Sequence, residues 1–240
     1  MNDNNKECDN IFGKAIPQLI HDIRNPLNII IGFSSIIQID ETVNDEIRTY
    51  LKKIFQSGMF IEELLSNIDF YMMEKLDLEE TKFNVFQETN NFLKLKNEII
   101  AEKGIIINQI SDKDKDIDIR FSLELFRRIL DNLFLFSQKG FKSSKLKEIQ
   151  IVYKKEDKNF IIFYSDSSEP VFIEGDYFSF EDVLKTKRGL GPQFIEKYVE
   201  DYNGEVYYKT SKNWHAVLED NNLTSQLNHG FIIKLPIFKE

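Results

Sequence analysis

The chain has 240 residues, 42% hydrophobic and 30% charged, with a formal net charge of −9. That length and mix describe a soluble globular protein with one large or two small cores, and the acidic balance without a long basic run excludes nucleic acid and anionic membranes as the expected partners. The single cysteine, Cys8, excludes a disulfide framework and fits a reducing cytoplasm, and no run of about 18 apolar residues marks a membrane span.

Residues 1–10 are polar and acidic, and read as an N-terminal tail without the apolar stretch of a signal peptide. From about residue 11 to 39 the spacing predicts a long helix. Ile16, Ile20, Ile23, Leu27, Ile30, Ser34 and Ile37 recur at alternating steps of four and three, a coiled-coil-like seam. After a break at residues 40–44, a second helix is predicted over 45–73, where Ile47, Leu51, Ile54, Gly58, Ile61, Leu65, Ile68 and Met72 repeat the same spacing. Two such helices joined by a short turn make a helical hairpin over residues 11–75. Alone it leaves each seam half covered, so a homodimer closing into a four-helix bundle is expected.

On the first helix, His21 sits just off the seam and is expected to be exposed, with Asp22 adjacent and Asn25 one turn on. Imidazole is a nucleophile, a neighbouring carboxylate can orient it or hold its proton, and an amide can place water or phosphate. This is a kit for moving a phosphoryl group. Pro26, inside the helix, deletes one backbone bond and is expected to bend it.

A charged linker over residues 74–80 leads into a region, 80–240, of alternating strands and helices. Strands are predicted at 82–86, 104–110, 117–119, 148–154, 160–165, 205–210 and 230–236. Helices are predicted at 87–103, from the N-cap Ser122 to about Lys139, and at 192–202, ending at Asn203-Gly204. Residues 211–228 read as a polar surface loop carrying Trp214, the only tryptophan. The whole is an α+β chain: the hairpin, then an α/β sandwich of one mixed sheet covered by helices. His215 and His229 have no partners at metal-ligand spacing, so they receive no role and no metal site is expected.

The run His21-Asp22-Ile23-Arg24-Asn25-Pro26-Leu27 resembles the phospho-acceptor box of two-component sensor histidine kinases, and residues 80–240 resemble their ATP-binding domain, of the Bergerat (GHKL) fold shared with gyrase, Hsp90 and MutL. The resemblance implies that His21 is phosphorylated at a ring nitrogen, that Asp22 is its acid/base partner, and that Asn25 supports transfer or removal of the group. Residues 128–139 are similar to the family's N-box helix. Asn132 and Lys139 match, but Phe136 stands where the magnesium-binding asparagine belongs, and it has no oxygen to give a hard cation. Residues 163–170 look like the first glycine box. Asp166 holds the adenine-reading position, while Ser168 and Pro170 replace both glycines. Arg188-Gly189-Leu190-Gly191-Pro192 keeps the core of the second glycine box, at a helix start suited to phosphate. Residues 171–187 would leave the family's mobile lid very short. Phe134, Phe136, Phe160 and Phe163 read as core packing that fills the former nucleotide cavity.

An intact histidine box beside a damaged nucleotide site implies a phosphorelay protein. His21 would exchange a phosphoryl group with the aspartate of a response-regulator receiver domain, as in the sporulation phosphotransferases it resembles, with weak or no kinase activity of its own. The alternatives are a working cytoplasmic histidine kinase using ATP and magnesium at a weakened site (Asn132, Lys139, Asp166, Gly189, Gly191), and a non-catalytic pseudokinase scaffold.

Overall fold

The computed structural model of the chain describes residues 3–72, 78–111, 117–141, 146–156, 159–170, 188–189, 191–220, 225 and 227–236. The predicted short lid, residues 171–187, lies outside them. The chain divides into two compact units, Met1–Leu76 and Asp77–Glu240. Among the described residues no helix is long and apolar enough to cross a membrane.

The first unit is the predicted hairpin, formed by α1 (Asp3–Gln38) and α2 (Asp45–Met72). Helix α1 begins ahead of the predicted start, so helical backbone replaces the expected tail from Asp3 onward. It continues through Pro17 and Pro26. The turn is built from polar side chains. Asp40 Oδ1 accepts from the Thr42 backbone N–H and hydroxyl, and Asn44 Oδ1 caps α2 by accepting from the Ile47 N–H. The Arg48 guanidinium reaches back to the carbonyl of Gln38 at the end of α1 and to those of Asp40 and Val43 in the turn.

Each predicted seam resolves into two rows of residues seven apart. The inner row, Ile20, Leu27 and Ser34 on α1 with Gly58 and Leu65 on α2, is buried within the hairpin. Ile16, Ile31 and Ile68 pack beside it. A Cβ at Gly58 would lie 2.5 Å from Ile31 Cγ1, so this glycine lets the helices approach closely. The outer row, Ile23, Ile30 and Ile37 with Ile47, Ile54 and Ile61, is 39–50% exposed. The seam was read as one stripe; a single partner helix covers only half of it. Arg24 braces the open end, 2.8 Å from Glu62 and 2.9 Å from Asp69.

The second unit runs β1 (Glu80–Asn84), α3 (Val85–Leu95), α4 (Asn97–Lys103), β2 (Ile106–Ser111), β3 (Asp118–Ser122), α5 (Leu123–Gly140), β4 (Glu148–Lys155), β5 (Asn159–Asp166), α6 (Gly191–Asp201), β6 (Glu205–Thr210), α7 (Ser211–Asp220) and β7 (His229–Pro236). It holds a five-stranded mixed sheet in the order β2-β4-β5-β7-β6, with β2 parallel to β4 and the other pairs antiparallel. A separate antiparallel pair, β1–β3, corrects the expected single sheet. The helix predicted over 87–103 breaks at Lys96, and its second half ends on Gly104 in the left-handed conformation (φ 63°).

Strand alternation assigns the two sheet faces. Tyr153, Phe160, Tyr164 and Phe231 face α3 and α5: the Thr89 and Tyr153 hydroxyls are 2.6 Å apart, and Phe126 of α5 packs 6.4 Å from the Phe160 ring. Val152, Ile161, Phe163 and Ile232 face the other way and form a core with Trp214 and Leu218 of α7. Over Ser211–Asp220 this helix overturns the predicted loop, whose residues 221–224 and 226 lie outside the described ones. Trp214, Val217 and Leu218 stand three and four residues apart and give a short polar sequence one apolar stripe. Phe163 therefore belongs to the α7 core, and not with Phe134, Phe136 and Phe160 on the α5 side.

Candidate functional site

On α1, Ile20 is 3% exposed and anchors the inner row, which turns the next residue outward. His21 and Asp22 side chains are 67% and 60% exposed, with His21 Nδ1 3.4 Å from Asp22 Oδ1. Gln18 Nε2 donates to that same carboxylate oxygen at 2.9 Å. Asn25 is exposed one helical turn on. An imidazole whose Nδ1–H points at a carboxylate keeps its Nε2 lone pair free for an incoming electrophile. The three predicted residues thus share one solvent-facing patch, which Arg24, anchored to α2, holds against the hairpin.

In the second unit the predicted nucleotide residues fall into two groups. Asn132 and Lys139, on α5, lie beside the second glycine box. A Cβ on Gly191 would be 3.5 Å from Asn132 Oδ1, and one on Gly189 would be 2.8 Å from Lys139 Nζ. Gly189 has φ +93°, which a residue with a side chain adopts only under strain. The Asn132 amide donates to the Arg128 carbonyl at 2.9 Å, one turn back on its own helix.

Asp166 belongs to a different arrangement. It is 3% exposed, and both its oxygens are engaged. Ser137 Oγ donates to Oδ2 at 2.5 Å, the Ser168 backbone N–H donates to Oδ1 at 2.8 Å, and His229 Nε2 lies 3.5 Å from Oδ1, at the outer limit of a hydrogen bond. Burial pushes its carboxyl up, but His229, Ser137 and Ser168 outweigh that and hold it below the usual range. The Tyr164 hydroxyl, 2.9 Å from Ser137 Oγ, stays protonated because burial and the Asp166 charge raise it well above its ordinary value.

Arg188 closes this cluster. Its side chain donates to Ser168 Oγ and to the Glu169 carbonyl, both at 2.8 Å, and its guanidinium stacks 5.3 Å from the centroid of the Phe136 ring. Phe136 in turn meets Phe231 edge to face at 5.6 Å. A Cβ on Gly140 would sit 2.6 Å from Arg188 Nη1, so the glycine makes room for the guanidinium. Phe136 offers no oxygen to magnesium, Asp166 is 3% exposed and already accepts a hydrogen bond at each oxygen, and a buried guanidinium lies between α5 and the end of β5. These side chains do not fit a magnesium nucleotide. Among the described residues no cluster of three His, Cys, Asp or Glu could hold a metal ion.

Sequence reasoning left Ser137, Gly140, Arg188 and His229 without roles. Ser137 and Asp166 are 29 residues apart in sequence, and only the pairing of β5 with β7 brings His229 to Asp166. The signal available was indirect: once Ser168 and Pro170 replace glycines, a buried Asp166 needs new donors.

Known proteins place the arrangement. Residues 14–76 match the His Kinase A (phospho-acceptor) domain. The osmosensing histidine protein kinase SLN1 of Saccharomyces cerevisiae is 34% identical over 122 residues, 50% of this chain, which spans only 9% of SLN1's length. Among solved structures, full-length ShkA in complex with AMPPNP superposes with a TM-score of 0.63 at 16% identity, covering 95% of this chain and 46% of ShkA. ThkA in complex with the response regulator TrrA gives 0.57 at 20% identity, covering 97% of this chain and 64% of that one. The Acinetobacter baumannii histidine kinase AdeS gives 0.53 at 17%, covering 91% of this chain and 98% of AdeS. The molecule is therefore built as a histidine kinase catalytic core, a phospho-acceptor hairpin followed by an α/β domain of the ATP-binding fold. Residues 14–76 thus match a His Kinase A phospho-acceptor domain, and the chain is similar in fold to histidine kinases of two-component signalling.

Proposed function

We propose that this chain passes a phosphoryl group between His21 and the aspartate of a response-regulator receiver domain, in the cytoplasm, with little or no ATP-dependent kinase activity of its own. The observation that carries the reading is a contrast within one chain: His21 is presented at 67% exposure, whereas Asp166, the carboxylate in the adenine-reading position, is 3% exposed with both oxygens engaged. The crystallised partnership of ThkA with the response regulator TrrA supports a receiver as the partner.

In the proposed step, His21 Nε2 attacks the phosphorus of an aspartyl phosphate. A nitrogen–phosphorus bond forms, the acyl oxygen–phosphorus bond breaks, and its electron pair leaves on the receiver's carboxylate. Asp22 accepts the Nδ1–H and stabilises the cationic ring as the bond forms. The reaction runs in both directions and needs no metal held by this chain. The same proposal takes the chain as a homodimer joined along the outer rows of the hairpin, whose isoleucines are exposed.

A working kinase is the second reading, favoured by Lys139 beside Gly189 and Asn132 beside Gly191. One experiment separates the readings. Purified protein is mixed either with a phosphorylated receiver and magnesium, or with labelled ATP and magnesium. Acid-labile label on His21 from the receiver and none from ATP is expected, with no label on His21→Gln. Label from ATP establishes the kinase. No label from either source refutes both and leaves the scaffold.

A further inference from the structure

Asp22 is tethered from one side. Gln18 stands one helical turn ahead of it on α1, and its Nε2–H donates to Asp22 Oδ1 at 2.9 Å, whereas His21 Nδ1 is 3.4 Å from the same oxygen. The first is an ordinary hydrogen bond and the second a loose one. Among the described residues, Gln18 and His21 are the two side chains that meet this carboxylate.

Little else fixes the direction of that carboxylate. The Asp22 side chain is 60% exposed, so packing does not choose its rotamer. Pro26, four residues on, has no N–H for the Asp22 carbonyl to receive, so the backbone holds this residue less than an unbroken helix would. The direction matters because Nε2 of His21 can attack only while the ring proton sits on Nδ1. Histidine in water favours the other tautomer, so an acceptor facing Nδ1 has to select this one. A carboxylate oxygen has two lone pairs, and Oδ1 can take the Gln18 N–H while still facing His21.

We propose that Gln18 is a positioning residue for the exchange at His21. Its amide holds Asp22 Oδ1 toward Nδ1, which keeps the attacking nitrogen unprotonated. The inference rests on the phosphoryl exchange proposed above, and Gln18 acts in it through Asp22 and not on the phosphoryl group itself.

The test uses the full chain and two readouts. The first is the rate of transfer from a phosphorylated receiver. Gln18→Leu keeps the bulk and the helix preference but has no donor. At saturating receiver it should transfer about twofold to tenfold more slowly, the ordinary weight of one hydrogen bond, with the half-saturating receiver concentration unchanged. Gln18→Arg restores a donor and should transfer at or above the native rate. The second readout is the pair of ring-nitrogen chemical shifts of His21 in the unphosphorylated chain. The native ring should show the Nδ1–H form, Gln18→Leu should move it toward Nε2–H, and Gln18→Arg should not. In an Asp22→Ala background, adding Gln18→Leu should leave the ring shifts where they were. A native rate and tautomer in Gln18→Leu overturn the proposal. So does an equal loss in Gln18→Leu and Gln18→Arg, or a Gln18→Leu effect that persists without Asp22. A native chain that takes no label refutes the exchange at His21 instead, and the ring shifts then decide on Gln18 alone.

Discussion

Replacing Arg188 by alanine probes what ties α5 to the end of β5 in the second unit. Arg188 is 8% exposed, and its guanidinium gives 2.8 Å bonds to Ser168 Oγ and the Glu169 carbonyl and covers the Phe136 ring. A hydrogen bond involving a charged group contributes about 1.5–3 kcal/mol, and a desolvated cation–π contact up to about 2 kcal/mol. These gains overlap, and part of them is offset because the variant no longer desolvates a cation. A net loss of about 2–4 kcal/mol remains. For a unit of Asp77–Glu240 that is a fall in Tm of roughly 5–15 °C. In urea, with a slope of about 2 kcal/mol per molar, the midpoint should drop by about 1–2 M. Trp214, the only tryptophan and 1% exposed, reports the transition through the red shift of its emission. Arg188→Lys keeps the charge but cannot make both bonds, and should fall between the two. A change below about 0.5 kcal/mol, the size of an ordinary surface substitution, would refute the idea that Arg188 ties this region together.

Asp166 gives a pH signature. Its folded-state pKa is depressed below an unfolded value of about 3.9, so its stabilisation is present above about pH 4 and is lost as the pH falls through the folded value. The urea midpoint should therefore drop more steeply with acid in the native protein than in Asp166→Asn; parallel profiles from about pH 5 to pH 2.5 would contradict this. On the hairpin, Ile54 is 45% exposed in the outer row, so Ile54→Glu should convert a dimer to a monomer by light scattering while helicity measured by circular dichroism persists. A native chain that is already monomeric removes the premise.

The hairpin was legible because a heptad spacing over two long helices has few structural readings, and the buried Ile20, Leu27 and Leu65 follow it. Its division into inner and outer rows was less so, because the spacing gives the stripe but not how many neighbours cover it. In the second unit the strands Glu148–Lys155 and Asn159–Asp166 were plain from dense apolar runs. Helix α7 was missed because four apolar residues among ten are outweighed by polar ones, and only the sheet above which they stand makes the stripe count. At the candidate site, the exposure of His21 followed from its place beside the seam. Two of the contacts to Asp166 did not, since Ser137 and His229 come from segments that only the assembled sheet and α5 bring to it, whereas the Ser168 N–H is a local partner two residues on.

On the reading proposed above, the contact between Arg188 and Phe136 sets the terms for redesigning this domain to take a nucleotide. Phe136→Asn alone would install a cation ligand under a guanidinium, where like charge repels the ion it was meant to hold. Removing Arg188 alone would leave an aromatic ring in place of the ligand, and Asp166 would still be bonded to Ser137 and Ser168. Each single step exchanges one satisfied contact for an unsatisfied one without reaching a working site. The rebuilding has to be concerted, with Phe136, Arg188 and Ser168 changed as a block, and libraries that sample one position at a time should find no gain of function here.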